Sequence, residues 1–347
     1  MVTLDDVAQK ANVSSMTVSR VINNPSCVKQ ETRERILSII KQLNYRPNMV
    51  AKSLATKRTN IIAYVVADIS DPFYNKVSKG IANTCFARNF TSIICDANSQ
   101  VSVDAHINML IDRQIDGAIF HDLSINQKQA DILIGAGIKL VMLENENDLS
   151  GVFAIWGADK MGAAEGIKYL IKKGHKKIGC VHGFLDNASI ALSNFPISFQ
   201  DSFKRKTWIK RTEGYNHALN SAGITYRRYY LGCVEFETSF KMGRDVIKSW
   251  QADTDRPSAI YCESDILALG LLSAALENKI EVPESLAILG HDGLDVTQMV
   301  YPKITTIVQQ RYEMGHLSAD YLLNFVNDGQ ETGDMILPVT IQKGQTV

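Results

Sequence analysis

Apolar residues recur at helical spacing in three short stretches near the start of the chain, with polar residues between them. The inward positions are Leu4, Val7, Ala8 and Ala11 in a helix over 4–11, Val18 and Val21 in a second over about 15–23, and Ile36, Leu37, Ile40 and Leu43 in a third over about 30–43. Thr3 and Asp6 resemble a capping box before the first helix, and Asn12 tolerates the left-handed conformation that ends it. Two short helices joined by a tight turn and closed by a third predict a helix-turn-helix head.

The pattern changes at Asn60 to short, continuously apolar runs separated by segments with helical spacing. The predicted strands lie at 61–66, 92–95, 117–120 and 140–143, and again at 178–181, 259–262 and 286–289, with helices over about 73–88 and 161–172. Apolar strands that alternate with helices are typical of parallel sheets covered on both faces. The sequence therefore predicts an α/β body of two lobes, each built on a parallel sheet, with a small-molecule cleft between them.

Charge is distributed unevenly along a chain of 347 residues that is neutral overall. Residues 1–60 contain ten Lys and Arg against four Asp and Glu, which is 10 − 4 = +6, so the remainder carries −6. A basic head on an acidic body indicates that the head binds a polyanion such as nucleic acid. A solvated helical surface is the alternative explanation of the charge alone.

Other kinds of chemistry find no support in the sequence. The six cysteines (Cys27, Cys85, Cys95, Cys180, Cys233 and Cys262) are scattered without a CxxC pair, which favours reduced thiols over disulfides or a zinc site. Gly135-Ala136-Gly137 precedes a strand and lacks the third glycine of a dinucleotide fingerprint, and no nucleophile elbow occurs. We expect no enzyme activity, no cofactor and no metal. Without a signal-like start or an apolar run of about 18 residues, we expect a cytoplasmic protein that does not span a membrane.

The head carries a more specific signal. The runs Leu4-Asp5-Asp6-Val7-Ala8, Ser14-Ser15-Met16-Thr17-Val18-Ser19-Arg20 and Leu43-Asn44-Tyr45-Arg46-Pro47-Asn48 resemble the DNA-binding head of the LacI/GalR family of transcriptional regulators. The resemblance implies that the start of the second helix enters the major groove. It implies base-edge contacts from Ser15, Met16 and Arg20, and further DNA contacts from Ser14, Thr17, Ser19, Asn23, Thr32, Tyr45, Asn48, Ala51 and Leu54.

The chemistry of these residues is compatible with DNA contacts, although some of them have another explanation. Arg20 can donate two hydrogen bonds to the O6 and N7 atoms of guanine, whereas Met16 offers only apolar contact, for example to a thymine methyl group. Small hydroxyls at a helix N-terminus suit phosphate oxygens. Helix capping would equally explain Ser14 and its neighbours. Lys29 departs from the family, in which a hydroxyl often caps the third helix.

Residues 48–59 are too few for a stable isolated helix. They resemble the family's hinge, which becomes helical on operator DNA, and the resemblance implies that Leu54 wedges into a minor-groove step and kinks the duplex. An ordinary amphipathic linker is the alternative. The predicted domains are therefore a head at 1–47, a hinge at 48–59 and an effector-binding and dimerisation domain at 60–347. Within that domain, lobe one spans about 60–158 and 308–337, and lobe two about 159–307 and 338–347.

The resemblance extends through the body, for example at Asp71-Pro72-Phe73-Tyr74 and Ser264-Asp265, and reaches periplasmic sugar-binding proteins of similar fold. It implies a cleft whose ligand contacts are Phe73, Tyr74, His121, Glu144, Arg211, Ser264, Asp292 and Arg311. Glu144 stands where Asp is usual, and His121 and Ser264 where Asn is common. Residues around 185–208 form an insertion with three possible roles: it reshapes the cleft mouth, forms a dimer contact or is a tolerated surface loop.

Two segments, 294–302 and 310–315, look like the gluconate-type repressors of the family. An arginine at position 311, where many sugar-responsive relatives have an apolar residue, suggests a sugar acid or sugar phosphate as ligand. An ion pair between Arg311 and Glu313 is the alternative. The expected protein is a homodimeric repressor of a carbohydrate or sugar-acid operon, switched by a small molecule, and further pairing of dimers is left open. An exported sugar-binding protein and a nicotinamide-dependent enzyme are the competing interpretations of the same body.

Overall fold

The computed structural model describes residues 2–47, 53, 56, 58–97, 100–144, 149–184, 206–233, 236–328 and 334–347. They belong to two compact units, Met1–Thr59 and Asn60–Val347. The hinge residues Asn48, Ala51 and Leu54, and most of the insertion predicted at 185–208, lie outside the described residues.

The N-terminal unit contains the three predicted helices. They are α1 (Leu4–Ala11), α2 (Ser15–Asn23) and α3 (Gln30–Gln42), with a 3-10 turn at Pro25–Cys27. The Thr3 hydroxyl accepts a hydrogen bond from the Asp6 amide at 3.2 Å, and the Asp6 carboxylate accepts one from the Thr3 amide at 2.8 Å. Asn12 ends α1 with a φ of 53°. The helix-turn-helix prediction and its capping box are confirmed.

The core of the head departs from the prediction on one helix. Leu37 is 47% exposed, so its assignment to the inward stripe of α3 is wrong. Ile36 is fully buried and Ile39, Ile40 and Leu43 pack against the same core. These positions follow the i, i+3, i+4, i+7 spacing of one helical face, whereas Leu37 lies about 100° around the helix from Ile36.

The C-terminal unit is built on two six-stranded sheets. The first has the order β11-β5-β4-β3-β1-β2 and contains β1 (Ile61–Val66), β2 (Thr91–Asp96), β3 (Gly117–His121), β4 (Lys139–Leu143), β5 (Phe153–Gly157) and β11 (Met335–Leu337). The second has the order β12-β10-β9-β8-β6-β7 and contains β6 (Ile178–Phe184), β7 (Arg228–Cys233), β8 (Ala259–Cys262), β9 (Ala287–Asp292), β10 (Thr305–Val308) and β12 (Thr340–Gln342). Strand pairing is parallel in both sheets, except that β12 runs antiparallel to β10. The predicted fold class is confirmed.

Helices cover both faces of each sheet. They are α4 (Phe73–Ala87), α5 (Gln100–Asp112), α6 (Gln127–Gly135), α7 (Asp159–Lys172), α8 (Lys206–Ser221), α9 (Phe236–Ala252), α10 (Asp265–Glu277) and α11 (Arg311–Asp328), with a 3-10 turn at Asp295–Gln298. Two glycines permit close helix crossings, because a Cβ at Gly80 of α4 would collide with the main chain of α11, and one at Gly243 of α9 with that of α10. Among the described residues, no helix has both the length and the apolar content needed to cross a bilayer.

The chain passes between the two sheets after β5, after β10 and again after β11. Helix α11 accordingly packs on α4 of the first sheet, although it follows a strand of the second. Separate apolar clusters lie against the two faces of each sheet. This arrangement gives two lobes within one unit, and it brings the carboxyl ends of strands from both sheets to a common cleft.

Candidate functional site

The N-terminus of α2 presents short polar side chains. The Ser14 hydroxyl accepts a hydrogen bond from the Thr17 amide at 3.3 Å and lies 2.9 Å from the Thr17 hydroxyl. The Ser15 hydroxyl donates to the Asp5 carboxylate of α1. These hydroxyls therefore cap α2 and tie it to α1. Because a hydroxyl oxygen has two lone pairs and a rotatable proton, capping and contact with a phosphate are compatible.

Met16 and Arg20 lie one turn apart on the exposed face of α2, opposite the buried Val18 and Val21. Met16 is 63% exposed, and Arg20 Nη2 lies 3.5 Å from its sulfur. An apolar side chain held in water beside a guanidinium contributes nothing to the core of the head. Both side chains are therefore positioned to contact a partner molecule.

Other predicted DNA contacts are half-buried or already hydrogen-bonded within the head. Asn23 Nδ2 donates to the Ser19 carbonyl oxygen at 3.0 Å and lies 3.3 Å from the Ser19 hydroxyl oxygen. The Asn23 amide nitrogen and the Ser19 hydroxyl group are therefore both hydrogen-bonded within α2. Thr32 and Tyr45 are half-buried, and Tyr45 packs against the core of the head. The structure thus leaves their DNA contacts as predictions.

A cavity of about 330 Å³, including the part open to solvent, lies between the two lobes of the C-terminal unit. The lining residues are Asp71, Phe73, Asp122, Glu144, Thr207, Trp208, Arg211, Ser264 and Asp292. Of the predicted ligand contacts, the structure brings together Phe73, Glu144, Arg211, Ser264 and Asp292.

Three acidic residues at the ends of strands share an uncommon backbone conformation. Asp122 follows β3, Glu144 follows β4 and Asp292 ends β9, with φ angles of 55°, 54° and 119°. Positive φ is uncommon for residues with a side chain, and such strain, which costs about 1–3 kcal/mol per residue, is concentrated at functional sites. The surrounding fold therefore holds three carboxyl groups at the cavity against a local conformational cost.

Arg211 of α8 joins buried groups at the base of the cavity. Its Nε donates to Asp159 Oδ1 at 2.8 Å, its Nη2 lies 2.9 Å from Asp292 Oδ1, and its Nη1 donates to the Glu263 carbonyl oxygen. Burial disfavours the charged guanidinium, but the two carboxylates outweigh it and raise the pKa of Arg211 well above its usual value. Arg211 is therefore a charged residue already bonded to the protein on three sides.

Burial also changes the ionisation of the surrounding acids. It raises the pKa of Glu144 well above its usual value, assisted by repulsion from Asp159 and Asp122, although the Gly157 amide donates to Glu144 Oε1 at 2.9 Å. Burial raises the pKa of Asp292 to about 7 against the opposing attraction of Arg211. Burial therefore favours the neutral form of the Glu144 carboxyl group, and at pH 7 the Asp292 carboxyl group is divided between its protonated and ionised forms.

Tyr74, His121 and Arg311 are not among the residues that line this cavity, and their expected ligand contacts stay predictions. Tyr74 and His121 lie behind the wall, where the Tyr74 hydroxyl donates to Asp122 Oδ2 at 3.2 Å and the two rings lie 4.8 Å apart. Arg311 is 3% exposed, donates through Nη2 to the Gly293 carbonyl oxygen, and sits 5.9 Å from the centre of the Phe73 ring. Burial lowers the pKa of Arg311. Tyr74 and Arg311 therefore contact residues of the cavity wall from behind, since Tyr74 bonds to Asp122 and Arg311 lies against Phe73.

Sequence reasoning missed four lining residues. Asp71 stands in the Asp-Pro-Phe-Tyr motif and Asp122 directly follows a strand, so both positions carried a usable signal. Thr207 and Trp208 come from the end of the predicted insertion, which shows that this part of the insertion reaches the cavity. In the part of the chain that the structure describes, no group of three His, Cys, Asp or Glu side chains has the arrangement needed to hold a metal ion.

Comparison with known proteins agrees with both units. Residues 3–48 match the bacterial regulatory proteins of the lacI family, and residues 167–347 match the periplasmic binding protein-like domain. Catabolite control protein A of Priestia megaterium is 30% identical over 337 residues, which cover 96% of this chain and 94% of that protein. The chain belongs to the lacI family.

Solved structures of similar fold extend over the whole lacI-family chain. The Lac repressor dimer bound to operator and the anti-inducer ONPF superposes with a TM-score of 0.82 at 23% identity, covering 99% of this chain and 98% of that one. The transcriptional regulator CelR in complex with cellobiose superposes with a TM-score of 0.69 at 23% identity, covering 100% of both chains. As a member of the lacI family, the protein is a DNA-binding transcriptional regulator with a periplasmic-binding-protein-like body. The likeness to gluconate-type repressors stays a prediction.

Proposed function

We propose that this lacI-family regulator is a cytoplasmic repressor that binds a palindromic operator as a homodimer and is switched by a small polyhydroxylated molecule in the cleft. The observation that carries the proposal is the exposed face of α2, where Met16 and Arg20 stand beyond a capped helix N-terminus on a basic head. Amides and hydroxyls at that end suit phosphates, and the exposed face suits base edges in the major groove. The hinge residues Ala51 and Leu54 complete the proposed contact with DNA.

The chemistry of the cavity supports a sugar-like ligand. Carboxylates such as Asp122 accept hydrogen bonds from hydroxyl groups, and the Phe73 and Trp208 rings offer apolar surfaces for the faces of a sugar ring. The regulator CelR, of the same fold, is known in complex with cellobiose. The narrower expectation of a sugar acid or phosphate stays a prediction; Arg211 is bonded to two carboxylates and Arg311 does not line the cavity, so neither arginine adds support to it.

Both lobes contribute to the cavity wall, so the ligand is expected to couple their arrangement to DNA binding. Asp122 belongs to the first lobe and Thr207 to the second, and the Thr207 hydroxyl donates to Asp122 Oδ1 at 3.2 Å across the cleft. On the surface, Lys76 of α4 pairs with Asp295 of the second lobe. A ligand that contacts both walls stabilises the closed arrangement. By thermodynamic linkage, operator affinity and ligand affinity then change each other by the same factor.

The experiment is a mobility-shift titration of the full chain on palindromic duplexes whose half-sites lie about one helical turn apart. We expect binding that weakens steeply with salt, because several phosphates are neutralised. Arg20→Ala should cost about 1–3 kcal/mol and relax the preference at one base pair. Lys168→Ala, which removes one charge from the surface of the C-terminal unit, is the control and should leave binding unchanged.

Two results would contradict the proposal. If no duplex is retarded at low salt, either by the protein alone or in the presence of the stabilising sugars, the protein does not act as an operator-binding regulator. If Arg20→Ala weakens all sequences equally, Arg20 contacts a phosphate and does not read a base. A thermal-shift screen of neutral sugars, followed by addition of each stabilising sugar to the mobility shift, then tests the switch and shows whether the ligand releases the operator or promotes its binding.

A further inference from the structure

The charges around the cavity are unbalanced. Among the residues that the structure describes, four carboxyl side chains line it, those of Asp71, Asp122, Glu144 and Asp292, against the single guanidinium of Arg211. The cavity also has aromatic residues in its wall and is bounded by both lobes. Because acidic side chains outnumber basic ones in its lining, the cavity discriminates between ligands of different charge.

Neither nearby arginine is placed to receive an anion. Arg211 is bonded to Asp159 and Asp292 and to the Glu263 carbonyl oxygen, so an anionic ligand would have to compete with two buried carboxylates for it. Arg311 does not line the cavity: it lies against the Phe73 ring and donates through Nη2 to the Gly293 carbonyl oxygen, while its buried Nε has no hydrogen-bond partner among the described residues. An anion entering the cavity would lose its hydration without gaining a pairing cation, which is strongly unfavourable.

The acids also repel one another. Apart from burial, Asp159 and Asp122 are the charges that raise the pKa of Glu144, and Asp71 is a charge that raises the pKa of Asp292. A positive charge in the cavity would relieve this repulsion, because like charges a few ångströms apart in a poorly solvated site interact strongly. The Phe73 and Trp208 rings add surfaces that attract cations.

We propose that the effector carries a positively charged amino group on a polyhydroxylated skeleton, and that the Asp71 and Asp122 carboxylates bind this group. The proposal rests on the proposed function, since it specifies the ligand of the same cleft. An aminated sugar meets every described feature of the wall: its hydroxyls donate to carboxylates, its ring face covers an aromatic ring, and its ammonium group neutralises the acids.

The test is calorimetry of the full chain with two matched sets of ligands that share a skeleton and differ in charge. The first set is glucosamine, glucose and glucuronate, and the second is glucamine, sorbitol and gluconate. We expect the aminated member of at least one set to bind tenfold or more tighter than its neutral counterpart, and the acid to bind most weakly. The proposal is overturned if in both sets a neutral or acidic member binds as tightly as the amine or more tightly, or if neither amine binds.

Proton exchange gives an independent readout of the same titrations. Burial raises the pKa of Asp292 to about 7, so this group is partly protonated at pH 7. A bound cation lowers that pKa, and the complex should release protons, which is measured by repeating the titration in buffers with different ionisation enthalpies. Net proton uptake with glucamine, an alkylamine that is already charged at pH 7, contradicts the proposed charge.

Asp71→Asn tests the carboxylate directly. Asp71 Oδ1 accepts a hydrogen bond from the Phe73 amide at 2.8 Å, and the asparagine oxygen can accept the same bond, so the turn is retained. The change should weaken the amine at least tenfold more than its neutral counterpart, whereas Asp104→Asn on the exposed surface of α5 should affect neither. Operator binding by the same preparations separates the two proposals. If the operator is bound but no amine is, the amine proposal is wrong; if no operator is bound, the proposed function is wrong.

Discussion

Replacing Arg211 with methionine tests how far buried charge pairing stabilises the base of the cleft. The guanidinium is 3% exposed and contacts Asp159 Oδ1 at 2.8 Å and Asp292 Oδ1 at 2.9 Å. Methionine fills much of the same volume but leaves both carboxyl groups buried without their cation. Removal of one partner from a buried ion pair costs about 3–5 kcal/mol, and we expect a loss of this size in the free energy of unfolding at pH 8.

The loss should depend on pH in a defined direction. In the wild type, the pKa of Asp292 is already raised to about 7, and it rises further once the opposing attraction of Arg211 is removed. In the folded variant, the Asp292 carboxyl group therefore keeps its proton above pH 7. In the unfolded chain the same group, with an aspartate pKa of about 3.9, has already released it. Stability therefore falls as pH rises, by about 1.4 kcal/mol per pH unit for each such proton. With Asp159 affected in the same way, the difference from wild type should grow by about 1–3 kcal/mol between pH 7 and pH 8.

Urea denaturation followed by circular dichroism at pH 6, 7 and 8 measures both effects. Arg244→Met is the matched control, because it breaks an exposed pair in which Arg244 Nε lies 2.9 Å from Glu277 Oε2. Exposed pairs of this kind contribute little to stability, so the control should match the wild type at every pH. The reasoning is refuted if Arg211→Met is no less stable than Arg244→Met, or if its deficit is the same at all three pH values.

Three further predictions concern packing and reactivity. Gly243→Ala should destabilise the C-terminal unit by about 1–3 kcal/mol in denaturant titrations, because the added methyl group collides with the main chain of α10. Ile36→Ala should cost the head about 2–5 kcal/mol while Leu37→Ala changes little, and comparable losses would contradict the assigned face of α3. Iodoacetamide should label the exposed Cys27 in the native protein but spare Cys180, whose thiol is buried with a raised pKa; mass spectrometry of the peptides checks both sites.

The sequence predicted the fold because its signals are local. Helix spacing, the capping box at Thr3 and Asp6, and Asn12 as a left-handed cap all act within a few residues, and the structure has them where the pattern indicates. Continuous apolar strands that alternate with helices leave few arrangements other than buried parallel sheets. The one wrong inward position, Leu37, lies next to the true stripe, where helical spacing alone discriminates poorly.

Through its resemblance to the LacI/GalR family, the sequence by itself also indicated the candidate DNA-reading face and five of the nine described residues that line the cleft. Tertiary structure alone decided the charge of that cleft. Arg211 and Asp159 are 52 positions apart in the chain, and no periodicity shows that they form an ion pair. An arginine read from the sequence alone suggests an anionic ligand. That suggestion weakens once the structure shows that carboxylates of the protein already pair with the arginine, as Asp159 and Asp292 do with Arg211. Those partners are brought to it by packing between distant segments, and burial then shifts their ionisation, so the charge of the cleft lining is set only in the folded chain.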